Sequence, residues 1–159
     1  MIFSVLGGLV VLFGFVLLYG APYLPTQRKQ AEIALDLLDL KKGQTLYELG
    51  CGDGRVLKLA AKRGIKSVGY ELNPLLVAVA WLHTLRYRRK VKIVWGNFWK
   101  AELGAADGIF VFLIERFMRK LDKKIKNDGK EGVKLVSYAF KVPDKKADNN
   151  KDGMFLYRY

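Results

Sequence analysis

The stretch Glu48-Leu49-Gly50-Cys51-Gly52-Asp53-Gly54 decides how this chain is read. It follows a short apolar run, residues 46–49, with the character of a β-strand. It precedes Val56, Leu57, Leu59 and Ala60, which fall on the inward face of a helix. Glycine is needed where a loop turns sharply at a strand end and lets a ligand lie against bare backbone. A strand, glycine loop and helix in that order predict a ligand site at the carboxyl edge of a parallel sheet. A loop built for a dinucleotide reads G-x-G-x-x-G and sets a pyrophosphate on the helix N-terminus. Here the spacing is G-x-G-x-G, with acids at Glu48 and Asp53. Acids repel pyrophosphate and suit a ligand carrying an ammonium group and a sulfonium. The plain alternative is a turn rich in glycine for steric reasons alone.

Working outward, strands and helices alternate. Upstream, Thr26 is placed to cap a helix in which Ile33, Leu37, Leu38 and Leu40 share helical spacing, and Gly43 ends it. Downstream, strands are expected over residues 67–72, 91–95, 108–113 and 134–140. Asn73-Pro74 opens one helix, proline being favoured at the first helical position. Residues 115–125 form another, with a basic outer face at Lys120, Lys123, Lys124 and the following Lys126. Residues 144–152 read as a polar, mobile loop and 154–159 as a final strand, which leaves about six strands in the sheet. The fold class is α/β: a Rossmann-like sheet, mostly parallel, with helices on both faces and right-handed crossovers.

Two further positions bear on the site. Glu71 ends the second strand, one strand–helix–strand unit after the glycine loop, where a carboxylate can accept hydrogen bonds from both hydroxyls of a ribose. Asn97-Phe98 follows the third strand; an amide can pair with an adenine edge and an aromatic ring can stack on its face. Taken separately, Asn97 could equally be a turn residue and Phe98 a core residue, and strand-end acids such as Glu71 are common. His83 is the only histidine and Cys51 the only cysteine, so no metal site is expected and no disulfide can form within the chain. His83 reads as a surface residue, and Cys51 as a small side chain that fits the loop.

Residues 2–19 carry no charged side chain, and Ser4 is their only clearly polar residue. As a helix at roughly 1.5 Å per residue they would span about 27 Å, close to the hydrocarbon thickness of a bilayer. A cleaved signal peptide is the rival reading, but no Lys or Arg precedes the run and Tyr19 suits no cleavage site near Ala21. The chain then divides into a transmembrane anchor (residues 1–21), a linker with the N-terminal helix (22–42) and a ligand-binding domain (43–159). Arg28 and Lys29 are the first charges, so the positive-inside rule places the domain on the cytoplasmic side. The formal net charge of +13 lies wholly beyond the anchor. That favours an anionic membrane surface or nucleic acid, against the alternative of a surface tuned for solubility. Residues 75–82 are apolar nearly all round the helix; such a helix is commonly buried, but with Arg86, Arg88, Arg89 and Lys90 after it, it could rest on a bilayer instead.

Glu48 to Gly54 resembles motif I of the class I methyltransferases, and Glu71 corresponds to their ribose-binding acid. The chain is closer to the small anchored lysine methyltransferases of mitochondria and their prokaryotic relatives, two of which act on the adenine nucleotide translocase and the c subunit of ATP synthase. The shared features are the apolar N-terminal stretch, Pro25-Thr26 and the glycine loop through Arg55. They continue with Gly69-Tyr70-Glu71-Leu72-Asn73-Pro74, Asn97-Phe98-Trp99-Lys100 and Val136-Ser137-Tyr138. The resemblance implies S-adenosyl-L-methionine as cofactor, held by Glu48, Gly50, Cys51, Gly52, Gly54, Glu71, Asn97 and Phe98. It also implies methyl transfer to a lysine of a membrane protein. Asn97 stands where the family commonly has Asp, keeping an acceptor but losing a charge. Residues 113–115 and Lys141 depart from the family on the acceptor side.

For the acceptor side, Glu115 and Tyr138 are the candidates, Glu115 to recruit the lysine; the alternatives are an acid favoured by the helix dipole and a packing tyrosine. A membrane-soluble acceptor such as a lipid or quinone fits the anchor equally well. A non-catalytic cofactor-binding membrane protein and an RNA methyltransferase are the other readings. Base methylation of nucleic acid is disfavoured because no Asn-Pro-Pro-Tyr-type motif is present.

Overall fold

The computed structural model describes residues 24–159. The expected anchor, residues 1–21, lies outside them. Among the described residues no helix is long and apolar enough to cross a membrane.

The glycine loop does sit in a strand–loop–helix unit. β1 (Thr45–Leu49) leads through it to α2 (Arg55–Lys62), and α1 (Arg28–Leu38) precedes both. β2 (Lys66–Glu71), α3 (Pro74–Thr84), β3 (Val91–Trp95) and β4 (Gly108–Val111) follow. α4 (Glu115–Asp128), β5 (Lys134–Tyr138), β6 (Asn149–Lys151) and β7 (Met154–Arg158) complete the order. The sheet runs β3-β2-β1-β4-β5-β7-β6. Pairings from β3 through β5 are parallel, while β7 runs antiparallel to β5 and β6 antiparallel to β7. The order reverses between β1 and β4, and the open crevice of such a sheet lies there, beyond the carboxyl ends of the strands.

The central strands are buried on both faces, and successive side chains point to opposite sides of the sheet. Tyr47, Leu49, Ile109, Val111, Leu135 and Tyr157 face one side and meet Met118, Leu121 and Ile125 of α4. Leu46, Phe110, Val136, Met154 and Leu156 face the other and meet α1 (Ala31, Ala34, Leu35, Leu38) and α2 (Val56, Ala60). The N-terminal helix thus packs into the core of the domain. Lys134 Nζ also donates to the carbonyl of Leu38 at its end, 2.7 Å away.

Several expectations need correction. Among the described residues the sheet has seven strands, because part of the stretch read as a mobile loop is β6, paired in register with β7 (Asn150 opposite Phe155). Its residues are all exposed and polar, so no hydrophobic alternation announced it. β5 stops at Tyr138, where Ala139 takes a positive φ of 67° and breaks the extended chain. β4 ends at Val111 and α4 runs on to Asp128. Thr26 is not the cap of α1: the N-cap is Gln27, which makes no side-chain capping bond, and Thr26 is buried one residue earlier. Asn73 does cap α3, its Oδ1 accepting from the amides of Leu75 (2.9 Å) and Leu76 (3.5 Å).

Candidate functional site

The loop between β1 and α2 turns on three left-handed glycines, Gly50 (φ 91°), Gly52 (φ 53°) and Gly54 (φ 75°). An L side chain is strained at each of these angles. The amides of Gly50 and Cys51 both donate to the Tyr70 carbonyl at 2.9 Å, and Gly54 N donates to the Cys51 carbonyl at 2.9 Å. Nothing lies within 4 Å of where a Gly50 Cβ would stand, so a ligand can approach its backbone. Gly54 serves packing instead: its missing Cβ would lie 3.1 Å from the Ala80 Cβ, which lets α2 start hard against α3.

Glu71 sits where the second strand ends and is tied into this loop. Its Oε2 accepts from Gly52 N and its Oε1 from Leu72 N and Asn73 N, each at 2.9 Å. A carboxylate has about four acceptor positions, so a ribose hydroxyl can still be bound. The side chain therefore both shapes the glycine loop and faces the cleft beside it.

A cleft of about 880 Å³, its open mouth included, runs along this edge of the sheet. Glu48, Gly50, Cys51, Gly52, Glu71, Asn97 and Phe98 all line it, so seven of the eight expected cofactor residues are brought together and only Gly54 stands behind the wall. The sequence reading missed Leu24, Pro25 and Thr26 at one side, Leu72 and Leu76 at another, and Phe112 with Leu113 at the end of β4. No spacing rule marks these residues; the packing of α1 and β4 around the loop puts them there. Asn97 Oδ1 accepts from Trp99 N at 3.0 Å and so caps a short turn as well as reaching the cleft.

The electrostatics are uneven. Glu48 is 5% exposed, and its Oε2 has no hydrogen-bond partner among the described residues. Burial, and then the negative charges of Asp53 and Glu71, push its carboxyl well above the usual range, with Arg55 opposing weakly. An unpaired buried carboxylate oxygen is costly unless a ligand completes it. Asp53 behaves oppositely. Burial works to raise its pKa, but the hydrogen bonds and charge of Arg55 (Nη2 to Oδ2, 2.7 Å) outweigh that and hold it low. Burial pushes the Cys51 thiol up, which removes any nucleophilic role near neutral pH. His83, half exposed, is more than a surface residue: its Nδ1 lies 3.0 Å from the Asp53 carbonyl oxygen.

Glu115 and Tyr138 do not line the cleft. Glu115 is exposed in the first turn of α4. Tyr138 packs its ring on Phe112, centroids 4.5 Å apart, and so backs the apolar end of the cleft. No group of His, Cys, Asp and Glu able to hold a metal occurs among the described residues. Buried Glu48 with an unpartnered acceptor, bare glycine backbone and a strand-end acid fit S-adenosylmethionine, whose sulfonium and ammonium are cationic and whose ribose offers two hydroxyls.

Known proteins agree with this chemistry. The ANTKMT methyltransferase domain matches residues 48–149. A protein-lysine N-methyltransferase of Saccharolobus islandicus (strain REY15A) is 31% identical over 125 residues, covering 76% of this chain and 78% of that protein. The adenine nucleotide translocase lysine N-methyltransferase of Mus musculus is 34% identical over 131 residues, 77% of this chain and 54% of its own length. The chain thus spans about half the length of the mammalian relatives it matches. A crystal structure of an RNA methyltransferase from Salinibacter ruber in complex with S-adenosyl-L-homocysteine superposes with a TM-score of 0.78 at 26% identity, covering 86% of this chain and 92% of that one. Glycine cradle, partnerless acid and strand-end carboxylate lie inside the matched region, and the chain belongs to the ANTKMT methyltransferase domain family, a family of S-adenosylmethionine-dependent methyltransferases.

Proposed function

We propose that this protein transfers a methyl group from S-adenosylmethionine to a lysine side chain of a membrane protein. The observation that carries the methyl-transfer reading is the buried Glu48 with its unpartnered acceptor, set against the glycine loop at the sheet's crevice. When bound, S-adenosylmethionine supplies an electrophilic methyl group. Glu48 and Glu71 receive the cationic and ribose ends, Gly50 and Gly52 let the ligand lie on backbone, and Asn97 and Phe98 take the adenine. Phe112 and Leu113 form an apolar end wall with Tyr138 behind Phe112, and Glu115, exposed two residues beyond Leu113, is the acid proposed to recruit the lysine.

An apolar wall suits an amine acceptor. A lysine with an ordinary pKa near 10.4 must lose its proton, at a cost of about 4.6 kcal/mol at neutral pH. Loss of water around the ammonium lowers that cost. Relatives named as lysine methyltransferases support the acceptor class, and the apolar residues 2–19 support a membrane location with the domain on the cytoplasmic side. To test this, the full chain and radiolabelled S-adenosylmethionine are mixed with membranes from the source cells, with Glu71→Ala as control. Label in a discrete protein band, absent with the control and mapped to lysine, is the expected result. Label confined to the lipid extract would replace lysine by a lipid or quinone acceptor. A second reading, RNA as acceptor, is favoured by the Salinibacter ruber similarity and the charge of +13. Label in nucleic acid, falling steeply with salt, would select it.

The raised pKa of Glu48 adds a prediction. In the free protein the carboxyl holds its proton above the ordinary value of 4.5, and a cationic ligand favours the ionised form. Cofactor affinity therefore rises with pH through the titration of Glu48 and levels off above it. Calorimetry in buffers of different ionisation enthalpy reads the released proton, and Glu48→Gln flattens the slope. A flat profile in the unaltered protein would show that Glu48 does not meet the ligand's charge.

A further inference from the structure

α3 has an unusual surface. Its sequence is almost wholly apolar, yet its buried residues are Ala80 and Thr84. At about 100° per residue, Leu75, Ala78, Val79, Leu82 and Leu85 lie on the arc opposite those two, and all are exposed. Leu82 is 62% exposed and Trp81, at the edge of the arc, 55%. Trp95, 67% exposed, extends the patch from β3, its Nε1 donating to the Leu72 carbonyl at 3.1 Å. An isolated exposed leucine needs no explanation, but a contiguous face with two tryptophans does.

The charge beside this face is as distinctive. Arg86, Arg88, Arg89, Lys90 and Lys92 follow the helix and are exposed. None of them takes part in the ion pairs of the described residues, whereas Lys124, Lys126 and Lys130 elsewhere pair with Asp128, Asp122 and Asp107. A second copy seated here would bring two uncompensated basic runs together. Residues 2–19 could cover the apolar arc but offer no charge to the cations. An anionic bilayer meets both, with acyl chains under the leucines, phosphates on the arginines and indoles at the interface.

We propose that the outer face of α3, with Trp95 and the basic run 86–92, docks on an anionic lipid bilayer. The cleft lies beside one end of this helix: Leu72, two residues before α3, Leu76, in its first turn, and Leu24 line it. The docking surface is independent of the acceptor being lysine.

The full chain is incubated with vesicles of phosphatidylcholine and phosphatidylglycerol whose acyl chains carry bromine, and tryptophan emission is read alongside co-sedimentation. Trp81 and Trp95 are two of three tryptophans, and Trp99 packs between Phe98 and Phe117. An interfacial helix buries its face by roughly 5–10 Å, so about half or more of the emission is expected to be quenched. Quenching falls several-fold in the triple variant Leu82→Glu/Arg88→Glu/Arg89→Glu, while cofactor affinity is unchanged. Arg88→Gln/Arg89→Gln gives a milder loss and serves if the triple variant folds poorly. Co-sedimentation can persist in both through residues 2–19, which separates anchoring from docking. No quenching in the unaltered protein, or quenching equal in the variants or in purely neutral vesicles, overturns the proposal. Blue-shifted emission that bromine does not reach would mean that protein, either residues 2–19 or a second copy, covers the face, and overturns it too.

Discussion

Glu71→Ala lowers the affinity for S-adenosylmethionine by about two to three powers of ten while the domain stays folded. Three amides occupy all but about one of the carboxylate's acceptor positions, so the variant loses one hydrogen bond to a ribose hydroxyl, and a hydrogen bond to a charged group is worth about 1.5–3 kcal/mol. Every 1.4 kcal/mol or so is tenfold in affinity. A further loss comes from the loop, because Gly52 N donates to Glu71 Oε2 and the variant frees that amide. Leu72 N and Asn73 N lose Oε1 as well, but they lie at the half-buried mouth of the cleft, where water can replace it. Titration calorimetry gives the affinity, and circular dichroism on heating gives the fold. Glu71→Gln separates the two roles: its amide keeps one acceptor but cannot accept from both Gly52 and the Leu72–Asn73 pair. Unchanged affinity in both variants would show that the ribose does not lie at Glu71.

Gly69→Ala destabilises the domain by about 1–3 kcal/mol, because an added methyl overpacks a filled interior. A Cβ at this position of β2 would stand 2.4 Å from Leu57 Cδ1, 2.7 Å from Cys51 Sγ and 2.8 Å from Cys51 Cβ. Leu57 and Cys51 are both buried, at 0% and 4% exposure, so neither has open space to move into. For a domain of this size the melting temperature drops by about 2–4 °C per kcal/mol. Cofactor affinity falls as well, since pushing Cys51 displaces the loop between Gly50 and Gly52. A double-mutant cycle with Leu57→Ala checks the cause. Removing the leucine side chain makes room for the methyl, so the pair should cost clearly less than the sum of the single variants. Strict additivity would mean that Leu57 is not the clash.

Much of the candidate site was legible in the sequence because its signals are local. The left-handed angles at Gly50, Gly52 and Gly54 are what a sharp turn at a strand end demands, and glycine supplies them almost alone. Asn73-Pro74 announces a helix start by the same local logic, and the Asn73 cap is formed. Short apolar runs marked β1, β4 and β5, which are buried along nearly their whole length, although the ends of β4 and β5 shifted at Val111 and Ala139.

By itself the sequence determined the strand–glycine loop–helix unit, the acid one unit later and the family to which both point. Those features depend on φ angles and periodicity, which neighbours along the chain dictate. Tertiary structure alone decided the rest. It paired the wholly polar β6 with β7, because its bonds are backbone bonds that leave no mark on side-chain pattern. It completed the cleft with Leu24, Thr26, Phe112 and Leu113 from distant segments, and left Glu48 buried with an unpartnered acceptor. It also turned the apolar α3 outward, because β2, β3 and α2 have room only for its narrow Ala80–Thr84 side. Apolar composition states what a helix can bury, and only the assembled sheet states how much surface is there to bury it against.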